Sequence, residues 1–245
     1  MILAALMLLL GGTAFAEDET PALKAFYNPE FLPPLVEAHD PAGDEYFTDA
    51  VFIGDSMMER MEMLGGFPTA NFVWQVGMSP ASVGRKQFRV KGTNARLTTY
   101  EKAAEYNPKK IYIMLGANGL DNYATSYIVA DYERLADAVI TNFPDALIYV
   151  IAPPPMSYKR MHGEYVIPTK RYSNFAEELR LLAERRNFYY LDLYHVLADE
   201  KGYLPGKFDA GDGYHLSRNA CDELENLVRR HTVPYPAVNM EGEQP

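Results

Sequence analysis

The sequence predicts a three-layer α/β/α sandwich, a parallel sheet covered by helices on both faces. Three observations carry that expectation. Short β-rich runs alternate with helical stretches, and three of the runs are almost continuously apolar, as strands buried on both faces must be. No internal repeat, low-complexity tract or linker divides the alternating region, so it reads as one domain with right-handed crossovers.

The elements follow in order. Ile2 to Leu10 is nearly unbroken Ile, Leu, Ala and Met, and Ala14-Phe15-Ala16 supplies a small-x-small cleavage signature before Glu17-Asp18. Residues 1–16 therefore read as a signal peptide cut after Ala16, although no Lys or Arg precedes the apolar run. That run is shorter than the ~20 residues a spanning helix needs, so the mature chain is expected to be exported without stable membrane insertion. Residues 17–49, rich in Pro, Asp and Glu and without a sustained period, read as an irregular lead-in.

The domain is expected over residues 50–233, with a tail at 234–245. Strands are predicted at Ala50 to Gly54, Asn71 to Val76, Lys110 to Leu115, Ala146 to Ala152 and Phe188 to Leu193. Helices are predicted at Met57 to Leu64, Thr98 to Tyr106, Tyr127 to Phe143, Thr169 to Arg186 and Ser217 to His231. In the third of these, Ile128, Leu135, Ala138 and Val139 recur near helical spacing; in the last, Ala220, Leu224, Leu227 and Val228 share a side. The basic segment Arg85 to Lys91 reads as a solvated loop or edge, and the Met57, Met58, Met61 cluster as core packing.

Composition narrows the partners. With 48% hydrophobic residues the 245-residue chain can bury one substantial core. A formal charge of -10, from 33 acidic and 23 basic side chains, with no long Lys/Arg run, argues against a grip on a phosphate backbone, so no nucleic-acid partner is expected. The single cysteine, Cys221, excludes an intrachain disulfide and any multi-cysteine metal site; it is expected to be buried.

In parallel sheets ligands bind beyond the carboxyl ends of the strands, which directs attention to the residues just after each one. After the first strand stands Gly54-Asp55-Ser56, where a serine on a strand-to-helix turn would present its hydroxyl as a nucleophile. Alone, Ser56 reads equally well as a helix cap. After the second and third strands stand Gly77 and Gly116-Ala117-Asn118. A glycine lets a backbone N–H approach a reacting oxygen, and a carboxamide is a neutral donor for a developing oxyanion. Each is also an ordinary turn residue.

Before the last helix comes Asp212-Gly213-Tyr214-His215, whose spacing lets the carboxylate reach one ring nitrogen while the other faces outward. This partner and the position at a helix entry set His215 apart from His39, His162, His195 and His231, which read as structural or solvated. Pro153-Pro154-Pro155-Met156 and Tyr158 leave the fourth strand on the same side and are candidates for shaping a pocket.

Together the four segments, in this order, resemble the SGNH hydrolase superfamily of GDSL esterases and lipases, over residues 50–231. The resemblance implies a flavodoxin-like five-stranded parallel sheet and a serine esterase. It implies Ser56 as nucleophile, His215 as general base and Asp212 as its orienter. The implied oxyanion donors are the Ser56 and Gly77 N–H groups and the Asn118 amide, with no metal or cofactor. Two departures stand out: Gly119 follows Asn118 where the family commonly has Asp, and Met78-Ser79-Pro80 replaces a frequent second glycine. The expected substrate is a short-chain, acetyl-type ester on a carbohydrate or cell-envelope polysaccharide. Transfer of the acyl group to a sugar acceptor, a lipase or lysophospholipase activity, and a non-catalytic secreted binding protein are the alternatives.

Overall fold

The computed structural model describes residues 34–163, 167–168 and 170–234. The expected signal peptide, most of the lead-in and nearly all of the tail lie outside the described residues. What is described of the lead-in packs onto the domain. The His39 and Ala42 N–H groups donate to the Arg230 and Arg229 carbonyls, and a 3-10 turn at Asp44–Phe47 buries Phe47.

Seven strands and eight helices are described. In chain order they are β1 (Ala50–Gly54), α1 (Ser56–Met63), β2 (Asn71–Trp74), β3 (Gln87–Arg89), β4 (Arg96–Thr98), α2 (Thr99–Ala104) and β5 (Lys110–Met114). There follow α3 (Ala117–Leu120), α4 (Thr125–Asn142), β6 (Leu147–Ile151), α5 (Tyr158–Met161), α6 (Lys170–Arg186), β7 (Tyr189–Leu191), α7 (Leu193–Leu197) and α8 (Arg218–Arg230). Five strands form the expected parallel sheet, in the order β2-β1-β5-β6-β7.

Period-two alternation sorts the strand residues between the faces. Val51, Ile53, Ile111, Ile113, Ile148 and Val150 point into a core shared with α2, α4 and α6. The opposite face carries an aromatic ladder in register across all five strands: Phe72, Phe52, Tyr112, Tyr149 and Tyr189. Neighbouring rings lie 5.2, 4.5, 4.4 and 5.0 Å apart in that sequence, the first three pairs within 18° of parallel. Such contacts add about 0.5–1.5 kcal/mol each beyond the area they bury. The ladder packs under α1, α7 and α8, with Met57, Met58 and Met61 buried as expected and Cys221 beside them on α8.

The differences from the sequence expectation are local. Arg85 to Lys91 is not a plain loop: Gln87–Arg89 pairs antiparallel with Arg96–Thr98 in a small hairpin. Ala136, not Ala138, completes the buried stripe of α4. Each strand except β1 ends one or two residues early; Leu115 and Ala152 are buried just past β5 and β6, whereas Val76 after β2 is exposed. The short helices α3, α5 and α7 are too brief for a periodic signal.

Candidate active site

The turn between β1 and α1 is closed by two neighbours of Ser56. A Cβ on Gly54 would sit 2.6 Å from Met58 Cβ and 3.1 Å from the Met114 carbonyl, so only glycine lets the helix start this close to the sheet. Asp55 then caps the helix, its Oδ1 accepting the Met57 N–H at 2.9 Å. The cap is therefore Asp55 and not Ser56, which frees the serine hydroxyl.

That hydroxyl meets His215: Ser56 Oγ lies 3.0 Å from Nε2. His215 Nδ1 lies 2.6 Å from Asp212 Oδ2. A carboxylate at Nδ1 fixes the proton there and leaves Nε2 as an acceptor facing the serine. Burial would raise the Asp212 carboxyl, but the His215 ring and the backbone N–H groups of His215 and Tyr214 outweigh it and hold the group down to about 2. Asp212 is thus charged at neutral pH.

The loop carrying Asp212 and His215 is braced from three sides. Asp209 Oδ1 accepts the Gly211 and Gly213 N–H groups at 2.8 Å each, and the Ala210 N–H donates to the His215 carbonyl. The Ser157 N–H donates to the Gly213 carbonyl at 3.0 Å. Arg60 Nε on α1 donates to the Leu216 carbonyl at 2.8 Å, tying the helix of the serine to the loop of the histidine. Pro153, Pro154 and Pro155 are buried. Tyr158 is 61% exposed and stacks on His162.

Asn118 lies on α3 and bonds across loops, not within its own. Its Nδ2 donates to Asp55 Oδ2 at 2.6 Å and to the Met78 carbonyl at 3.1 Å. Gly77, one residue earlier, has φ +71, a left-handed turn with open space where a side chain would project. Among the described residues, the Ser56 and Gly77 N–H groups have no acceptor. Gly119 and Asp121 close α3, and Asp121 accepts from the Tyr172 hydroxyl at 3.2 Å.

Sequence reasoning missed the part played by Asp55. Only 1% exposed, it is pushed up to about 6 chiefly by burial, against the Met57 N–H, the nearby His215 and the Asn118 amide. Its adjacency to Ser56 was the one signal available. Beside Asp212 opens a cavity of about 770 Å³ whose lining includes Asp121, Ser157, Lys159, Arg160 and Asp209.

A doubly wound sheet with a serine, a histidine and an aspartate hydrogen-bonded in series at its carboxyl edge has the framework of a serine hydrolase. The chain belongs to the GDSL-like lipase/acylhydrolase family, whose model matches residues 52–220. It is accordingly a hydrolase of the SGNH type, the class its four motifs resemble. Three solved structures show the same fold. A GDSL-like lipase from Bacteroides thetaiotaomicron shares 16% identity over 73% of this chain and 84% of its own, with a TM-score of 0.57. The lipase/acylhydrolase from Enterococcus faecalis shares 17% over 74% and 93%, TM-score 0.54. A variant of a Geobacillus acetyl-xylooligosaccharide esterase shares 16% over 74% and 92%, TM-score 0.51. No curated protein matches the chain.

Proposed function

We propose that the protein is an exported serine esterase that removes short acyl groups from carbohydrate. The observation that carries the catalytic part is the continuous chain from Ser56 Oγ through both nitrogens of His215 to the Asp212 carboxylate, at 3.0 and 2.6 Å. Ser56 Oγ attacks the ester carbonyl as Nε2 takes its proton. The C=O π electrons pass to oxygen, forming an oxyanion met by the Ser56 and Gly77 N–H groups and by Asn118 Nδ2. When the carbonyl re-forms, the C–O bond to the alcohol breaks and His215 returns the proton to that oxygen. Water then repeats the sequence on the acyl-enzyme and releases the carboxylic acid.

Asn118 presents a condition. Both hydrogens of its amide are already given to Asp55 and to the Met78 carbonyl, so serving an oxyanion means giving one up. The bond to the Met78 carbonyl, longer and to a neutral acceptor, is the one released.

A short acyl group on a sugar fits the cavity beside Asp212, whose rim offers acidic, basic and hydroxyl side chains to sugar hydroxyls. The structural kinship to an acetyl-xylooligosaccharide esterase is in keeping with this. Export rests on residues 1–16, and N-terminal sequencing of the exported protein should begin at Glu17.

The main test is a panel of chromogenic esters of increasing acyl length. Acetyl and propionyl esters should turn over fastest, and Ser56→Ala should lose about 10,000-fold or more in kcat on each. Equal rates for the two proteins remove the assignment; a preference for long acyl chains removes only the substrate class.

A further inference from the structure

Within the proposed mechanism the Asn118 carboxamide must swing one N–H from the Met78 carbonyl to substrate without losing its orientation. Its nitrogen end is held by Asp55 at 2.6 Å. Its oxygen end faces the hydroxyl of Tyr214, with 3.4 Å between Tyr214 Oη and Asn118 Oδ1. Tyr214 lies between the two acidic and basic members of the last motif and touches both. Its own N–H donates to Asp212 Oδ1 at 3.0 Å, and its ring stands edge-on to the His215 ring, 5.0 Å away at 88°. One side chain thus joins the loop of the base to the helix of the oxyanion donor.

We propose that Tyr214 is a positioning residue: its hydroxyl holds the Asn118 carboxamide by the oxygen so that the nitrogen can exchange the Met78 carbonyl for the substrate's oxyanion. This rests on Asn118 acting as an oxyanion donor. The amide oxygen can only accept, and the Tyr214 hydroxyl is the sole group donating to it among the described residues. Burial, with the charges of Asp55 and Asp121 nearby, raises the phenol, against the opposing Arg160, so the hydroxyl keeps its proton at any working pH and stays a donor. A rotation of the amide by half a turn would set its oxygen against the Asp55 carboxylate and the Met78 carbonyl, two groups that can only accept. Those contacts select the orientation in which the oxygen faces the Tyr214 hydroxyl, which donates to it and holds it there before substrate arrives.

The test is a double-mutant cycle with Tyr214→Phe and Asn118→Ala, read as kcat and KM on a short acyl ester. Phenylalanine keeps the ring against His215 and the backbone bond to Asp212, removing the hydroxyl alone. Tyr214→Phe should lower kcat about 3- to 10-fold with KM within about twofold, a loss typical of one neutral hydrogen bond. In the Asn118→Ala background, itself about 100- to 1000-fold slow, the same substitution should cost nothing further. A kcat unchanged in Tyr214→Phe, or a loss that persists undiminished without Asn118, overturns the role. An Asn118→Ala protein as fast as wild type overturns the oxyanion assignment itself and this proposal with it, a result that leaves Ser56 and His215 untouched.

Discussion

Asp192-Leu193-Tyr194-His195 and Asp212-Gly213-Tyr214-His215 fold into nearly the same object. In each, one carboxylate oxygen accepts the histidine's own N–H, at 3.1 and 2.8 Å, and the other lies 2.7 and 2.6 Å from Nδ1. In each the intervening tyrosine ring meets the histidine ring edge-on, at 4.9 Å and 87° or 5.0 Å and 88°. Both follow the carboxyl half of the domain's strands, and both fix which nitrogen faces outward. They part at that outer nitrogen. His215 Nε2 meets Ser56, whereas His195, its side chain 66% exposed, stands beside a mostly apolar cavity of about 570 Å³ whose lining holds no serine, threonine or cysteine. An oriented imidazole is common to the two; a serine hydroxyl at 3.0 Å from the outer nitrogen belongs to one. The aspartate partner, offered by the sequence as what distinguishes His215, does not distinguish it, because Asp192 gives His195 the same partner at the same spacing.

The comparison breaks first at the histidines. His215→Ala should cost about 10,000-fold or more in kcat on a short acyl ester, the scale on which removing a base from a serine nucleophile is felt. His195→Ala should leave kcat within about twofold. Measuring both in one assay decides the matter: a tenfold loss from His195→Ala would mean that the second pair has a role in turnover that its surroundings do not suggest.

How much of this was legible in the sequence depended on whether the signal was periodic or spatial. The five sheet strands and five long helices announced themselves through apolar period and through turns, and their edges shifted only by a residue or two. The β3–β4 hairpin did not, because Phe88 and Leu97 are its only apolar residues and their charged neighbours read as a solvated loop. Ser56, Gly77, Asn118, Asp212 and His215 were readable as a set of motifs, and the structure joins Ser56, His215 and Asp212 directly. What lay hidden was which neighbour each contacts. That Asn118 spends both hydrogens on Asp55 and Met78 depends on loops 63 and 40 residues apart in the chain meeting at a sheet tip. No local pattern encodes that meeting. The Asp192-to-His195 spacing, by contrast, stood in the sequence; only what the outer nitrogen faces was hidden.

The aspartates sharpen the comparison further, since the two are asked for different things. Asp212 stands in a braced loop and caps no helix. Asp212→Asn, which keeps the shape but donates where the carboxylate accepts, should lower kcat by about 10,000-fold, as the loss of the correct tautomer does in serine hydrolases generally. Its effect on stability should be small and pH-linked. The folded carboxyl lies at about 2, below its ordinary value of 3.8, so the charged form contributes stability above the unfolded value and loses it as pH falls through the folded one. With the side chain 54% exposed, solvent screening cuts that contribution to roughly 1 kcal/mol. Wild type and Asp212→Asn should therefore differ by about that much in urea unfolding at pH 6 and converge only as pH falls towards 2. Asp192, by contrast, is the N-cap of α7, and its Oδ1 satisfies the first-turn N–H of His195. Asp192→Ala should cost about 1 kcal/mol or less of stability and leave kcat unchanged. If it slows turnover while sparing stability, the two segments share a function and the outer nitrogen is not what separates them. If the reverse holds, one four-residue device serves a helix end in one place and a nucleophile in the other, and only the contact beyond Nε2 tells them apart.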